Sequence, residues 1–127
     1  MIDIDTIEDY LCDLCDTAFN DGITCDKLYN PEKRINRAAY VDSANQNLAD
    51  QNDVTICRAK VVENRETRAQ CITDIQKVRE NFVKYGSSLG NGFAIFMDID
   101  YITMPIKIMA GTQTAFTFTA NLKITAK

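Results

Sequence analysis

Apolar and polar residues alternate most regularly in the last third of the chain. From Phe116 to Ala126 every second residue is apolar, and the residues between them are threonine, asparagine or lysine. The stretch Phe93–Tyr101 also has an apolar residue at each odd position. An alternation of period two is typical of a strand with one buried face and one solvated face. The pattern therefore predicts a long antiparallel β-meander over Phe93–Lys127.

The apolar parity changes inside this meander, near Tyr101 and Ile102. Beyond that point the apolar residues occupy even positions, at Met104, Ile106 and Ile108. Because successive side chains point to opposite faces, such a change requires a bulge, a bend or a strand break. Pro105 cannot donate to a ladder and confines its segment to an edge or a bend. Residues 111–113 are predicted to form a turn between the runs.

Two stretches have helical spacing. The first is Thr6–Phe19, with Asp5 as its predicted N-cap and Glu8 three residues after that cap, as in a capping box. Residues 20–22 tolerate the left-handed turn that ends a helix. The second ends near Tyr85 and Gly86, with Thr67 or Asn64 as its cap, and is expected to lie on a sheet. The apolar stripes consist of Ile7, Tyr10, Leu11, Leu14, Cys15, Ala18 and Phe19, and of Cys71, Ile75, Val78, Phe82 and Tyr85.

The remaining segments predict two strands and two connections. Val54–Val62 alternates as a strand, which the charged residues 63–66 are expected to end, and Ile23–Tyr29 predicts a short strand before Pro31. Residues 32–53 are polar and amide-rich, with only residues 38–41 strand-like, and residues 86–92 predict a flexible connection. The long polar loop has two interpretations: a disordered surface segment, or an arm that orders against a neighbouring subunit.

These elements define the predicted fold class. The sequence predicts an α+β protein with one mainly antiparallel β-sheet, two α-helices packed on it and a long C-terminal β-meander. Its 127 residues fit a single domain over 1–127, with the polar loop at about 32–53.

Composition then narrows the classes of function. The chain contains no histidine, which removes the commonest general base near neutral pH and the commonest zinc ligand. We therefore expect no enzyme, with no catalytic residue, cofactor or metal. A net charge of −4 argues against a nucleic-acid-binding surface. The acidic N-terminus and the lack of a long apolar run predict neither a signal peptide nor a membrane span, and hence folding in a cytoplasm.

The chain has five cysteines: Cys12, Cys15, Cys25, Cys57 and Cys71. The first two form a CxxC pair inside the first predicted helix, where nearby aspartates raise rather than lower a thiol pKa, which disfavours a redox role. A zinc site requires further ligands to converge in the fold. Buried free thiols are the main expectation, and pairing within or between subunits after release from the cell is the alternative.

Two charged clusters also have alternative interpretations. Asp98 and Asp100 share one strand face, as a solvated face or as a paired-acid or Mg²⁺ site. A mixed-charge cluster lies at the strand-to-helix corner and consists of Glu63, Arg65, Glu66 and Arg68. It is either a solvated helix start or an ion-pair contact between subunits of a ring. The candidate subunit contacts are Glu63, Arg65, Glu66, Arg68, Tyr40 and Pro105.

The element order resembles that of the tail terminator proteins of long-tailed bacteriophages, also called tail-completion or tail-to-head joining proteins. The resemblance rests on the Thr6–Phe19 helix, the Val54–Val62 strand leading through residues 63–66 into the Thr67–Tyr85 helix, and the Phe93–Lys127 strands. No signature motif accompanies it, so no functional residue is carried over.

The resemblance implies a structural virion protein, assembled in the host cytoplasm, that forms a homo-oligomeric, hexameric ring. Such a ring caps the tail tube, meets the neck or connector proteins and, in a contractile tail, the sheath. DNA is only passing cargo in its lumen, and no membrane is involved. Another phage neck or tail-tube subunit, or a non-viral α+β protein-interaction module, fits the same features.

Overall fold

The computed structural model describes residues 2–30, 35–47, 54–90, 92–103, 106–107 and 114–126. Two helices and seven strands occur in this part of the chain. In order they are α1 (Ile4–Phe19), β1 (Cys25–Asp26), β2 (Asn36–Asn47), β3 (Val54–Arg65), α2 (Arg68–Asn81), β4 (Lys84–Gly90), β5 (Phe93–Ile102), β6 (Ile106–Lys107) and β7 (Thr114–Ala126).

All the described strands belong to one sheet. Its order is β1-β2-β3-β7-β5-β4, and β6 pairs with β7. Every pairing is antiparallel except that of β1 with β2. The predicted α+β class is therefore confirmed, and β7 lies in the middle of the sheet rather than at an edge.

The core lies between one face of this sheet and the two helices. That face is formed by the buried parity of β3, β5 and β7, including Val61, Ile95 and Leu122. Phe82 joins the layers, because its ring meets Phe118 edge-on at 5.1 Å and lies 6.0 Å from Phe19 between centroids. Aromatic pairs in this geometry stabilise a core beyond the area that they bury.

Helix α1 begins two residues earlier than the sequence pattern indicates. Its N-cap is Asp3, whose carboxylate accepts a hydrogen bond from the backbone N–H of Asp5 at 2.8 Å. The prediction of Asp5 as the cap is thus wrong, because a second acid upstream satisfies the first free N–H groups. The predicted end is confirmed: Asn20 takes the left-handed conformation with φ 45°.

Helix α2 has the predicted cap but a shorter length. The hydroxyl of Thr67 accepts from the N–H of Gln70, and the side chain of Gln70 accepts from the N–H of Thr67, which forms a capping box. The helix ends at Asn81, not at Tyr85. The segment predicted as a flexible connection is strand β4, whose backbone pairs with β5 despite its glycines and serines.

The predicted polar loop is largely strand β2, which corrects the sequence-based interpretation. It pairs with β3 along its whole length, with one register shift between Val41 and Ser43. The polar residues at its start hid the strand, because Asn36 and Arg37 are buried there and their polar groups find partners inside the fold. Residues 31–34 and 48–53 lie outside the described part of the chain.

Two further strand boundaries differ from those predicted, and one predicted irregularity is confirmed. Strand β3 continues through Glu63 to Arg65 instead of ending at Val62, and the strand predicted from Ile23 to Tyr29 shortens to the two residues of β1. The predicted irregularity of the meander is confirmed as a register shift between Ile99 and Tyr101. The interpretations placed on Met104, Pro105, Ile108 and residues 111–113 fall outside the described residues.

Candidate functional site

The most concentrated polar cluster is a buried network around Arg37. Its side chain has no solvent exposure, and its Nε donates to Oε2 of Glu63 at 2.8 Å. Its two terminal nitrogens donate to the two oxygens of Asp21 at 3.1 and 2.8 Å. The guanidinium also lies over the ring of Phe19 at 3.9 Å from the centroid. One side chain thus joins β2, β3 and the turn after α1.

Two more charged groups complete the network. Arg65 donates to Asp21, and Oδ2 of Asp74 lies 3.6 Å from a terminal nitrogen of each arginine. Burial alone raises the pKa of Asp21, but the hydrogen bonds and charges of the arginines hold that pKa well below its usual range. Asp21 is therefore an ionised anchor for both guanidinium groups.

Glu63 and Asp74 form an acid pair at the inner side of the network. Burial, together with a hydrogen bond to Asp74, raises the pKa of Glu63 to about 9. A proton held between the two carboxyl groups gives Oε1 of Glu63 and Oδ2 of Asp74 a partner, and both atoms otherwise lack a hydrogen-bond donor. With Glu63 protonated, the two arginines have one buried carboxylate fewer to compensate.

The network is built to hold structure rather than to perform chemistry. Arg37 and Glu63 are direct partners in the β2–β3 register, and Asp74 comes from α2. Because Arg37 is fully buried and Glu63 only 1% exposed, no substrate reaches them. Sequence reasoning missed this cluster because Arg37 falls in the supposed loop. One signal existed: Glu63 continues the buried parity of Cys57, Ala59 and Val61.

The five cysteines are all free and buried. Cys25 comes into hydrogen-bond contact with Cys12 and Cys15, so the CxxC pair does gain a third thiol. The hydrogen bond with Cys25 and burial raise the pKa of Cys12. Burial raises the pKa of Cys57 to about 11 and that of Cys71 to about 12. Among the described residues, no group of three or more ligating side chains is arranged to hold a metal ion.

The face of the sheet that points away from the core carries an apolar groove. Four side chains line up directly across β3, β7, β5 and β4, in the order Ile56, Lys123, Phe96 and Tyr85. The depression along this row encloses about 360 Å³, and Asp98 and Asn121 of the same face also line it. We call Ile56, Tyr85, Phe96, Asp98 and Lys123 the sheet groove.

The apolar members of the sheet groove are exposed to an extent unusual for their type. Tyr85 is 84% exposed, Ile56 56% and Phe96 40%. Phe96 lies against Gly86, whose φ is 79°, and a Cβ there would come within 3.4 Å of the ring. Contiguous exposed apolar side chains that are rimmed by charged ones are typical of interaction surfaces.

The other residues singled out from the sequence occupy several environments. Glu66 and Arg68 are exposed, Tyr40 is half-buried, and Pro105 lies outside the described residues. Glu63 and Arg65 belong to the buried network instead of a solvated helix start. Asp100 forms an ion pair with Arg58 at 2.5 Å, across the open sheet face.

No helix in the described part of the chain is long and apolar enough to cross a bilayer. Neither a protein-family model nor a curated protein sequence matches the chain. Among solved structures, the fold is similar to a chain from the virion of a native gene transfer agent (GTA) particle. The TM-score is 0.64 at 6% sequence identity, and the alignment covers 88% of this chain and 84% of that chain. This is a likeness of the whole α+β architecture.

Proposed function

We propose that this protein is a structural component of a virion. The observation that carries the proposal is the likeness, over 88% of the chain, to a chain of the gene transfer agent virion. The buried network supports a structural role, since its side chains connect β2, β3, α2 and the turn after α1. The exposed sheet groove supports a role in assembly, because an assembled subunit covers such surfaces.

Within the virion, we assign it the position of a tail terminator. Its subunits form a six-membered ring that caps the tail tube and joins it to the neck or connector proteins. The element order supports this position: a capped helix, a strand hairpin, a sheet-packing helix and a meander whose last strand returns to the sheet centre. The net charge of −4 suits a lumen through which DNA slides, because a negatively charged wall repels the phosphates and keeps the DNA from binding to it.

Free strand edges contribute little to this assembly. The N–H of Val41, on the outer side of β2, already donates to Oε2 of Glu8 at 2.9 Å. The opposite edge strand, β4, carries register shifts on both sides of Ser87 and Ser88. Bulges and side-chain caps of this kind protect edges from pairing with another chain. Side-chain surfaces, including Tyr40, Glu66 and Arg68, are therefore the proposed subunit contacts.

Purification followed by light scattering and electron microscopy tests the proposal. The full chain is expected to give particles of six times its 14.3 kDa mass, with closed sixfold rings and a central opening. Open-ended tubes of growing length would instead identify a tail-tube subunit, because a tube polymerises and a terminator does not. A single-chain mass at every concentration, up to the solubility limit, would contradict the ring.

A further inference from the structure

Three of the five thiols meet where α1 faces the edge strand β1. Cys12 and Cys15 lie one helical turn apart on the buried side of α1, and Cys25 belongs to β1. The thiol of Cys25 is in hydrogen-bond contact with both helical thiols. Sulfur atoms in such contact need only a short further approach to reach the geometry of a disulfide. The fold thus brings together thiols that are 13 and 10 residues apart in the chain.

Backbone contacts hold these cysteines in position. The N–H of Cys25 donates to Oδ1 of Asp16 at 2.9 Å, and Asp16 directly follows the CxxC pair. Cys25 pairs with Arg37 of β2, and the thiol of Cys12 donates to the carbonyl oxygen of Ala39, two residues further along the same strand, at 3.8 Å. Cys12 and Cys25 are therefore both positioned against one short stretch of β2.

Solvent exposure distinguishes one pair within the group. Cys12 is 9% exposed and Cys25 is 7% exposed, which are the two largest values among the five cysteines. A disulfide forms when a thiolate attacks an existing disulfide, so one of the partners must meet a small molecule from solvent. Because Cys15 is 0% exposed, Cys12 is the helical partner that Cys25 is expected to join.

We propose that Cys12 and Cys25 form a disulfide within one chain when the protein meets a low-molecular-weight disulfide. The bond joins α1 to β1 and closes a loop over residues 12–25. That loop contains Asp21, whose carboxylate holds the guanidinium of Arg37. The bond therefore restrains the turn that anchors the buried network.

The reaction transfers two electrons from the protein to the small molecule. One cysteine loses its proton and attacks the small disulfide, which gives a mixed disulfide and releases one small thiol. The second cysteine then loses its proton, attacks the protein sulfur of the mixed disulfide and releases the other small thiol. The two cysteines are oxidised to one disulfide, and the small disulfide is reduced to two thiols that take up the two protons.

The surroundings of the thiols set the rate of this reaction. The hydrogen bond with Cys25 and burial raise the pKa of Cys12, so its thiolate is scarce at neutral pH. Oxidation of the folded chain is therefore expected to be slow at pH 7 and faster at pH 9.

This modification goes beyond the proposed function, because it concerns a single chain and does not depend on the ring. A cytoplasm keeps thiols reduced, whereas oxidising surroundings outside cells favour disulfides. A virion passes from the first to the second, so its subunits gain the bond after assembly.

Peptide mapping of the full-length chain tests the bond. The reduced protein is incubated with bis(2-hydroxyethyl) disulfide at pH 8 until no further thiol is lost, and the remaining thiols are blocked with N-ethylmaleimide in denaturant. A protease that cuts before aspartate then places the three cysteines in separate peptides, 9–12, 13–15 and 21–25. Mass spectrometry is expected to find 9–12 joined to 21–25 and the other three of the five cysteines blocked.

Variants and a denatured sample serve as controls. Cys25→Ala is expected to keep all its remaining thiols free, since Cys12 has lost its partner. Cys57→Ala removes a cysteine of similar exposure, 4%, and is expected to keep the link between 9–12 and 21–25. The parent chain treated in concentrated urea is expected to give several different links, because the fold no longer selects one.

The oxidised parent chain is also expected to unfold at a urea concentration about 1–2 M higher than the reduced chain, and dithiothreitol is expected to remove the difference. An unchanged midpoint would overturn the restraint on the turn. Peptide 13–15 linked to either of the others, a covalent dimer on a denaturing gel without reductant, or five blocked thiols after prolonged oxidation would overturn the bond itself. Light scattering of the reduced chain tests the ring separately, so the two proposals can fail independently.

Discussion

The Nε of Arg37 donates a hydrogen bond to Oε2 of Glu63 at 2.8 Å, between side chains that are 0% and 1% exposed. The two residues are direct neighbours across β2 and β3. Asp21 engages the other nitrogens of the same guanidinium, so the pair connects the sheet with the end of α1. The interior of this protein thus depends on one buried guanidinium whose partners come from separate elements, and removing it leaves those buried carboxyl groups without their shared donor.

The first prediction concerns the arginine. Arg37→Met is expected to lower the free energy of unfolding by about 3–5 kcal/mol, because three carboxyl groups lose their shared buried partner. Urea denaturation followed by circular dichroism measures the change. Arg58→Met is the matched control: its pair with Asp100 is half-exposed, so the expected loss is about 0–1 kcal/mol. Equal losses in the two variants would show that the buried network contributes nothing special.

The second prediction concerns pH. The pKa of Glu63 rises from 4.5 to about 9 on folding, so between these values the folded state holds a proton that the unfolded state has released. Stability from this group is therefore full below about pH 4.5 and declines as the pH rises to about 9. Glu63→Gln keeps an oxygen for Arg37 and a donor for Asp74 and does not titrate.

Urea denaturation between pH 5 and pH 9 checks this slope. The stability of Glu63→Gln relative to the parent chain is expected to increase steadily across that range. Glu66→Gln, at an exposed position, is the control and is expected to follow the parent curve. Asp21 acts with the opposite sign, since its lowered pKa removes stability as the pH falls below about 3.8. Parallel curves for Glu63→Gln and the parent would rule out a raised Glu63 pKa.

Much of the fold follows from sequence periodicity, and the exceptions have physical causes. Helix α1 and strands β3, β5 and β7 carry strong apolar periods, so their existence was predictable. Strand β2 was not predictable, because an arginine in a polar stretch is expected to be exposed to solvent. Only the position of Glu63, directly across from Arg37 on β3, accounts for the burial of Arg37. Strand β4 was missed because glycine and serine are poor strand formers, and only pairing with β5 keeps it extended.

The candidate surfaces were less predictable than the fold. The sheet groove requires the register of four strands, which brings Ile56, Lys123, Phe96 and Tyr85 into one row from distant parts of the chain. Periodicity within single strands indicates which face each side chain occupies, but not which neighbour it meets. The contact between Cys25 and the CxxC pair was hidden for the same reason.

The third prediction concerns the thiols. Because all five are buried, and the pKa values of Cys57 and Cys71 are raised to about 11 and about 12, the folded chain is expected to react slowly with a thiol reagent at pH 8. In denaturant without reductant, five thiols are expected to react at once. Fewer than five would demonstrate pairing in the assembled material, and a fast reaction of the folded chain would contradict the burial.

The last prediction compares a buried apolar residue at the C-cap of α2, Phe82, with an exposed one within that helix, Ile72. Phe82 is fully buried, and its ring contacts those of Phe19 and Phe118, so it joins α1 to the central strand. Phe82→Ala is expected to cost about 3–5 kcal/mol of unfolding free energy, from lost burial and from the cavity left behind. Ile72→Ala, at a position 44% exposed on α2, is expected to change stability by no more than about 0.5 kcal/mol. Urea denaturation of both variants at low protein concentration isolates this difference from assembly. A loss below about 1 kcal/mol for Phe82→Ala would mean that the helices do not depend on this aromatic contact for their place on the sheet.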